Sequence, residues 1–351
     1  MKLSNSKIKT LEIEDYFNFL LKENYFQTAS LSIKVNNLPI ININHISEKI
    51  ITPLFPIMSI SKMFVAAVIW RYYFKGYIDW DDPIIKFWPE FGKNGKEKIS
   101  VKHVLSHTSG IPYHDSLPLK DFGDWGRIIE WIEDLKPHYK PGTRIEYHSL
   151  TFGWILGEII SRISGKSFEE TFIEEVSKPL KLSNTMFSIP KEKISKILHL
   201  KVSNDFEDIY LPEKLQNIHK YNIILPAASA VSTANDICNF LSPISINKNG
   251  QEWLPKNIVS EISRCHAEGI DSFGKYHRIG LGVLLPTGIN NKYGAPRNSK
   301  TIGHGGLGIA TAWKDLDSEI SVSFLTTTLH SEPIKKAIHQ DIFKLIRSVI
   351  S

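Results

Sequence analysis

Two pairs of segments with strand-like alternation, one near each end of the chain and each accompanied by a helix, leave few ways to fold it. Ala29 to Val35 and Pro39 to His45 alternate apolar and polar side chains on either side of Asn36-Asn37, and paired asparagines tolerate the positive φ of a tight hairpin. Ile309 to Trp313 and Ile320 to Thr328 flank Asp315-Leu316-Asp317-Ser318 in the same manner. Apolar residues at Ile8, Leu11, Ile13, Phe17, Phe19, Leu20 and Leu21 predict a helix from Ile8 to Tyr25, and Pro333 to Ile350 has helical spacing after a proline suited to a helix start. Between the ends the pattern is mostly helical, at Val101 to Ser106, Trp125 to Leu135, Leu150 to Ile163 and Asn235 to Phe240. The implied fold class is α+β: an antiparallel sheet flanked by the N- and C-terminal helices, with a mostly helical inserted domain. The expected division is an α/β domain from 1–78 plus 266–351 and a helical domain from 79–265, with the active site in the cleft between them.

At 351 residues the chain is long enough for one large domain with an insertion or for two packed domains. Its 42% hydrophobic and 23% charged residues are ordinary for a globular protein. The net charge of +5 is spread among 42 basic and 37 acidic residues, and the densest basic stretch, Lys93 to Lys102, is broken by Gly95, Glu97 and Ile99. That stretch reads as a solvated loop, so no nucleic-acid partner is expected. Cys238 and Cys265 are the only cysteines and neither has metal spacing; no metal and no cofactor are expected. Glu12, Glu14 and Asp15 stand where a signal peptide needs its apolar run, and the longest apolar run, Met63 to Trp70, is far short of the roughly 20 residues of a membrane span. The expectation is a cytoplasmic protein without membrane attachment. The sequence leaves the oligomeric state open.

Chemistry enters at Phe55-Pro-Ile-Met-Ser59-Ile-Ser-Lys62, a Ser-x-x-Lys pattern. The pattern alone is weak, since it recurs at Ser4, Ser6, Ser188, Ser245 and Ser272. At Ser59 it is preceded by Pro56 and followed by an apolar run that predicts a buried helix. Residues three apart share a helix face, which puts Lys62 one turn beyond Ser59, while first-turn N–H groups suit a developing oxyanion. A buried lysine with a depressed pKa can accept a proton or support a tyrosine that does. The bland alternative is a capping serine and a surface lysine.

Two later segments join it. Pro141-Gly142 makes a turn before Tyr147-His148-Ser149, and Leu150 to Ile163 then reads as a helix stopped by Gly165. Gly303-His304-Gly305-Gly306-Leu307-Gly308 stands just before the predicted strand from Ile309, and its glycines allow close approach of a ligand to a backbone, as an oxyanion site requires. A phosphate-binding reading lacks the Walker or dinucleotide pattern, and His304 lacks partners at metal spacing.

Ser-x-x-Lys, Tyr-x-Ser and a glycine-flanked basic residue on a late strand, in this order, resemble the serine β-lactamase and penicillin-binding-protein superfamily, most of all the class C β-lactamase-related hydrolases and family VIII esterases. The phrases 76-GYIDWDDPIIKFWPEF-91, 99-ISVKHVLSHTSGIP-112 and 226-PAASAVSTANDICNF-240 extend the likeness over most of the chain. The resemblance implies Ser59 as acylated nucleophile, Lys62 as its activator and Tyr147 as general base or proton shuttle. It places Ser149 where many relatives carry Asn, and His304 where they carry the lysine of Lys-Thr-Gly. Gly305, Gly306 and Leu307 would line the substrate, the oxyanion hole being the N–H of Ser59 with that of Leu307 or a neighbour. Replacing a permanent cation by His304 argues against anionic substrates and so against efficient β-lactamase action. The expected function is a serine hydrolase acting on a small-molecule ester or amide; an acyltransferase, a DD-peptidase or β-lactamase, and a catalytically silent binding protein are the alternatives.

Overall fold

The computed structural model describes residues 5–111, 122–208, 210–247, 253–288, 291–308 and 310–350. Pro112 and Ile309, the expected start of a strand, lie outside them. The chain opens with helix α1 (Asn5–Lys22), then strands β1 (Ala29–Val35) and β2 (Leu38–His45). Asn36 and Asn37 have φ of 49° and 68°, so both turn residues are left-handed and match the twist of the hairpin they close. Helix α2 (Ser61–Phe74) begins the helical part, which includes α3 (Thr151–Ser164) and α4 (Ala234–Leu241). A short hairpin of β3 (Ala267–Ile270) and β4 (Tyr276–Ile279) leads back to β5 (Thr301–Gly306), β6 (Ala310–Asp315), β7 (Ile320–Thr326) and helix α5 (Glu332–Ile350).

The five-stranded sheet has the order β2-β1-β7-β6-β5 and is antiparallel throughout. Its centre joins the two ends of the chain, with Ala29 opposite Thr326 and Val35 opposite Ile320. Leu31, Ile33, Val322 and Phe324 on one face pack with Phe17 of α1 and Ile342 and Phe343 of α5. The other face carries Ser30, Ser32, Ser321 and Ser323, and all four are buried. Their small side chains let α4 lie close, near enough for the Cys238 thiol to donate to the Ser32 carbonyl at 3.2 Å. On β1 and β7 the polar half of the alternation is therefore a second packing surface, while on β2 Asn42 and Asn44 stay exposed.

Helix α2 is apolar all round, and from Ser61 to Trp70 every residue is buried. Such a helix is the centre of a domain and not its skin. It packs against α3, which ends on Gly165 at φ 69°, a left-handed cap that glycine adopts without strain. The glycine-histidine segment forms the edge strand β5, the late strand that the resemblance implies and that glycines, with no side-chain periodicity, do not announce by themselves. The β3–β4 hairpin falls in a stretch that carries no strand signal in the sequence, and it meets β5 through single bridges from Ile279 to Leu284 and from Leu284 to Gly303.

Candidate active site

Ser59 sits in a tight turn, Met58–Ile60, that runs directly into α2. The turn is entered through Met58 at φ 50°, a left-handed conformation that costs a residue with a side chain roughly 1–2 kcal/mol. Its neighbours impose that conformation. The Ile57 N–H donates to the Ala230 carbonyl at 3.0 Å, and β5 presses from the other side: a Cβ on Gly306 would stand 2.7 Å from the Ile57 oxygen and 3.2 Å from the Met58 Cβ. Only glycine allows the strand to lie so close to the serine turn.

One helical turn further, Lys62 is fully buried. Its Nζ donates to Ser59 Oγ at 3.2 Å, to the Ser149 carbonyl at 2.8 Å and to the Ala227 carbonyl at 3.1 Å, and lies 4.9 Å from the centre of the Tyr147 ring. Burial pushes its pKa down to about 7. Ser149 meets the lysine through its backbone carbonyl.

Tyr147 is held by rings. His107 lies 4.6 Å from it, centre to centre, and is locked by accepting the His148 N–H on Nδ1 at 3.0 Å. Burial, above all, keeps His107 and His148 neutral, His148 at about 3. In the sequence His107 is legible only as part of a familiar phrase, since nothing in its spacing marks it as a support for Tyr147. On the other side His304, buried on β5, faces the Tyr147 hydroxyl with Nε2 at 3.5 Å. Its Nδ1 lies 2.8 Å from the Gly305 carbonyl and must donate to it, which leaves Nε2 as the acceptor. Burial, followed by the charges of Lys292 and Lys62, drives His304 well below the ordinary histidine range. The imidazole thus stands beside the tyrosine, closer to the proton-handling groups than to open solvent.

Ser59, Tyr147, His304, Gly305, Gly306 and Leu307 line one cleft of about 310 Å³. A larger groove of about 760 Å³ follows β3 past Arg144 and Arg264, but none of Ser59, Lys62 and Tyr147 lines it, so the reactive groups fix the smaller cleft as the candidate site. Among the described residues no cluster of His, Cys, Asp and Glu is placed to hold a metal ion, and no helix is long and apolar enough to cross a membrane.

A serine in the turn that enters a buried helix and a lysine in that helix's first turn, facing a tyrosine at the mouth of the helical part and a glycine strand at the sheet edge, fit the class of serine hydrolases built on the β-lactamase fold. Residues 52–345 match the Beta-lactamase family model, and the chain belongs to that family. It is 24% identical over 325 residues to the esterase/beta-lactamase LipL of Mycobacterium tuberculosis strain H37Rv, covering 83% of this chain and 73% of that protein. A beta-lactamase of Escherichia coli K12 is 29% identical over 138 residues, 39% of this chain and 36% of its own length. The crystal structure of a family VIII carboxylesterase shares the fold with a TM-score of 0.84 at 20% identity, covering 97% of both chains.

Proposed function

We propose that the chain is a serine esterase or amidase that works through an acyl-Ser59 intermediate. The observation that carries this is Lys62: fully buried, one turn from Ser59, bonded to its Oγ and poised near neutrality. Neutral Lys62 accepts the Ser59 proton as Oγ attacks the substrate carbonyl, and the ammonium formed is received by the Ser149 and Ala227 carbonyls and the Tyr147 ring. The oxyanion falls to the N–H groups of Ser59 and Leu307, on the turn and strand end that Gly306 brings together. The Tyr147 hydroxyl gives its proton to the leaving alcohol or amine and takes its replacement from the Lys62 ammonium, with His304 Nε2 beside the hydroxyl holding it in place. Water, activated by the same groups, then attacks the acyl-enzyme and regenerates Ser59.

The test is Ser59→Ala, which removes the nucleophile and little volume. Intact mass after exposure to a fluorophosphonate should show one adduct on the wild type and none on the variant, with turnover of p-nitrophenyl esters abolished and the circular dichroism spectrum unchanged. An adduct mapped to another serine overturns the assignment. Adding alcohol acceptors and a chromogenic cephalosporin to the same assay separates hydrolysis from acyl transfer and from β-lactamase action.

A further inference from the structure

The charge pattern of the cleft narrows the substrate of the hydrolase just proposed, and the inference rests on that reading. Position 304, where the resemblance puts a lysine in relatives, holds a buried neutral histidine. Three lysines from other segments nevertheless line the same cleft: Lys275 from the β3–β4 turn, Lys292 from the segment before β5, and Lys335 from the first turn of α5. Lys335 is engaged, its Nζ bonding Glu332 at 2.8 Å and the Gly306 carbonyl at 3.3 Å. Lys275 is exposed at the rim.

Lys292 is different. It is half-buried, and among the described residues its ammonium has no hydrogen bond or ion pair, only the Tyr293 ring at 5.3 Å. A Cβ on Gly305 would lie 3.1 Å from its Nζ, so the glycine leaves the ammonium bare against the strand edge that faces the cleft. The acids nearby are already paired, Asp271 with His277 at 2.6 Å and Glu332 with Lys335. Burial, then repulsion from Lys335 and Lys275, pushes Lys292 down to about 7. Its Nζ keeps access to the cleft, where an anion can reach it, and a bound anion relieves the mutual repulsion of the three lysines. Phe273 and Leu307, exposed at the same cleft, give the rest of such a ligand an apolar surface.

We propose that Lys292 forms an anion subsite beside Gly305, and that the substrate is an ester or amide carrying a free carboxylate on the part that lies along β5. The cation that position 304 lacks is supplied from outside the motif. Sequence alone argues against anionic substrates because nothing in the 291–300 segment ties it to β5.

The experiment compares kcat/KM for p-nitrophenyl hydrogen succinate with that for its neutral methyl ester, while fluorophosphonate labelling of Ser59 is followed in each preparation. The wild type should prefer the charged ester, and added salt should erode the preference. Lys292→Met should lower the ratio by about tenfold, as loss of a charge facing the substrate carboxylate does, and Lys292→Arg should keep most of it. Because the ratio is taken within one protein, a general loss of activity cancels. A wild-type ratio at or below one, or an unchanged ratio in Lys292→Met, overturns the subsite. If Lys292→Met does not fold, the wild-type ratio and its salt dependence decide. Failure of Ser59 to label would sink the hydrolase reading itself; labelling with a preference for the neutral ester would sink the subsite alone.

Discussion

Lys62 balances two opposed forces. Three acceptors and an aromatic face favour the ammonium, which has three protons to give, while complete burial favours the neutral amine. The balance at about 7 makes Lys62 the group whose titration should govern turnover. Because the base form is the active one, kcat/KM for a neutral ester should rise with pH through an apparent pKa near 7, as a pH series of initial rates will show. Lys292 titrates in the same range, so the series is repeated on Lys292→Met; persistence of the limb there assigns it to Lys62, and its disappearance assigns it to Lys292. The sign for stability is the reverse of an ion pair's. A lysine whose folded pKa is below its unfolded value costs stability in full below pH 7, and the cost vanishes only above the ordinary value of 10.5.

At the scale of elements, the serine turn and β5 are one device, since the strand's glycine is what lets its backbone reach the nucleophile. Gly306→Val should push β5 off the Ile57–Met58 backbone, against which its Cβ would stand 2.7 Å away. The expected result is a fall of about a hundredfold in the rate of fluorophosphonate labelling, with a stability loss of about 1–3 kcal/mol by urea unfolding. A wild-type labelling rate in a folded Gly306→Val would show that the close approach is not needed. Legibility in the sequence runs along the same elements. β1, β2, β7 and the terminal helices are readable because their side chains alternate or repeat over enough residues to show a period. So is α2, although Ser59, expected on the same helix as Lys62, stands in the short turn just ahead of it. β5 is legible through the resemblance alone because Gly303, Gly305 and Gly306 carry no side-chain signal, and β3 and β4 are four residues each, too short to declare themselves. Lys292 and His107 reach the site through tertiary contacts alone, and no local pattern foretells those.

For the molecule as a whole, the helical part is fastened to the sheet at a buried charge. Lys314 of β6 is fully buried, and its Nζ reaches Glu319 at 2.7 Å and the Ser242 carbonyl, the cap of α4, at 3.4 Å. Glu319 in turn accepts from Ser245 Oγ at 2.6 Å, so the β6–β7 turn is knotted to the segment that follows α4. Lys314→Met should cost about 3–5 kcal/mol in urea unfolding, because it strands a buried carboxylate. Adding Glu319→Gln should recover much of that loss, whereas simple additivity of the two changes would mean that the pair is not coupled. Both variants should still label at Ser59 in the absence of denaturant. The central strand pair has a different consequence, for biosynthesis. Ala29 faces Thr326, so the first hairpin leaves the ribosome with the inner edge of β1 unpaired, and nearly the whole chain must be translated before β7 arrives to cover it. An isolated two-stranded hairpin is marginal in water, and an open edge invites other strands. The inner edge of β1 should therefore stay open until β7 emerges, with Ser30 and Ser32 making one of its two faces hydroxyl rather than apolar.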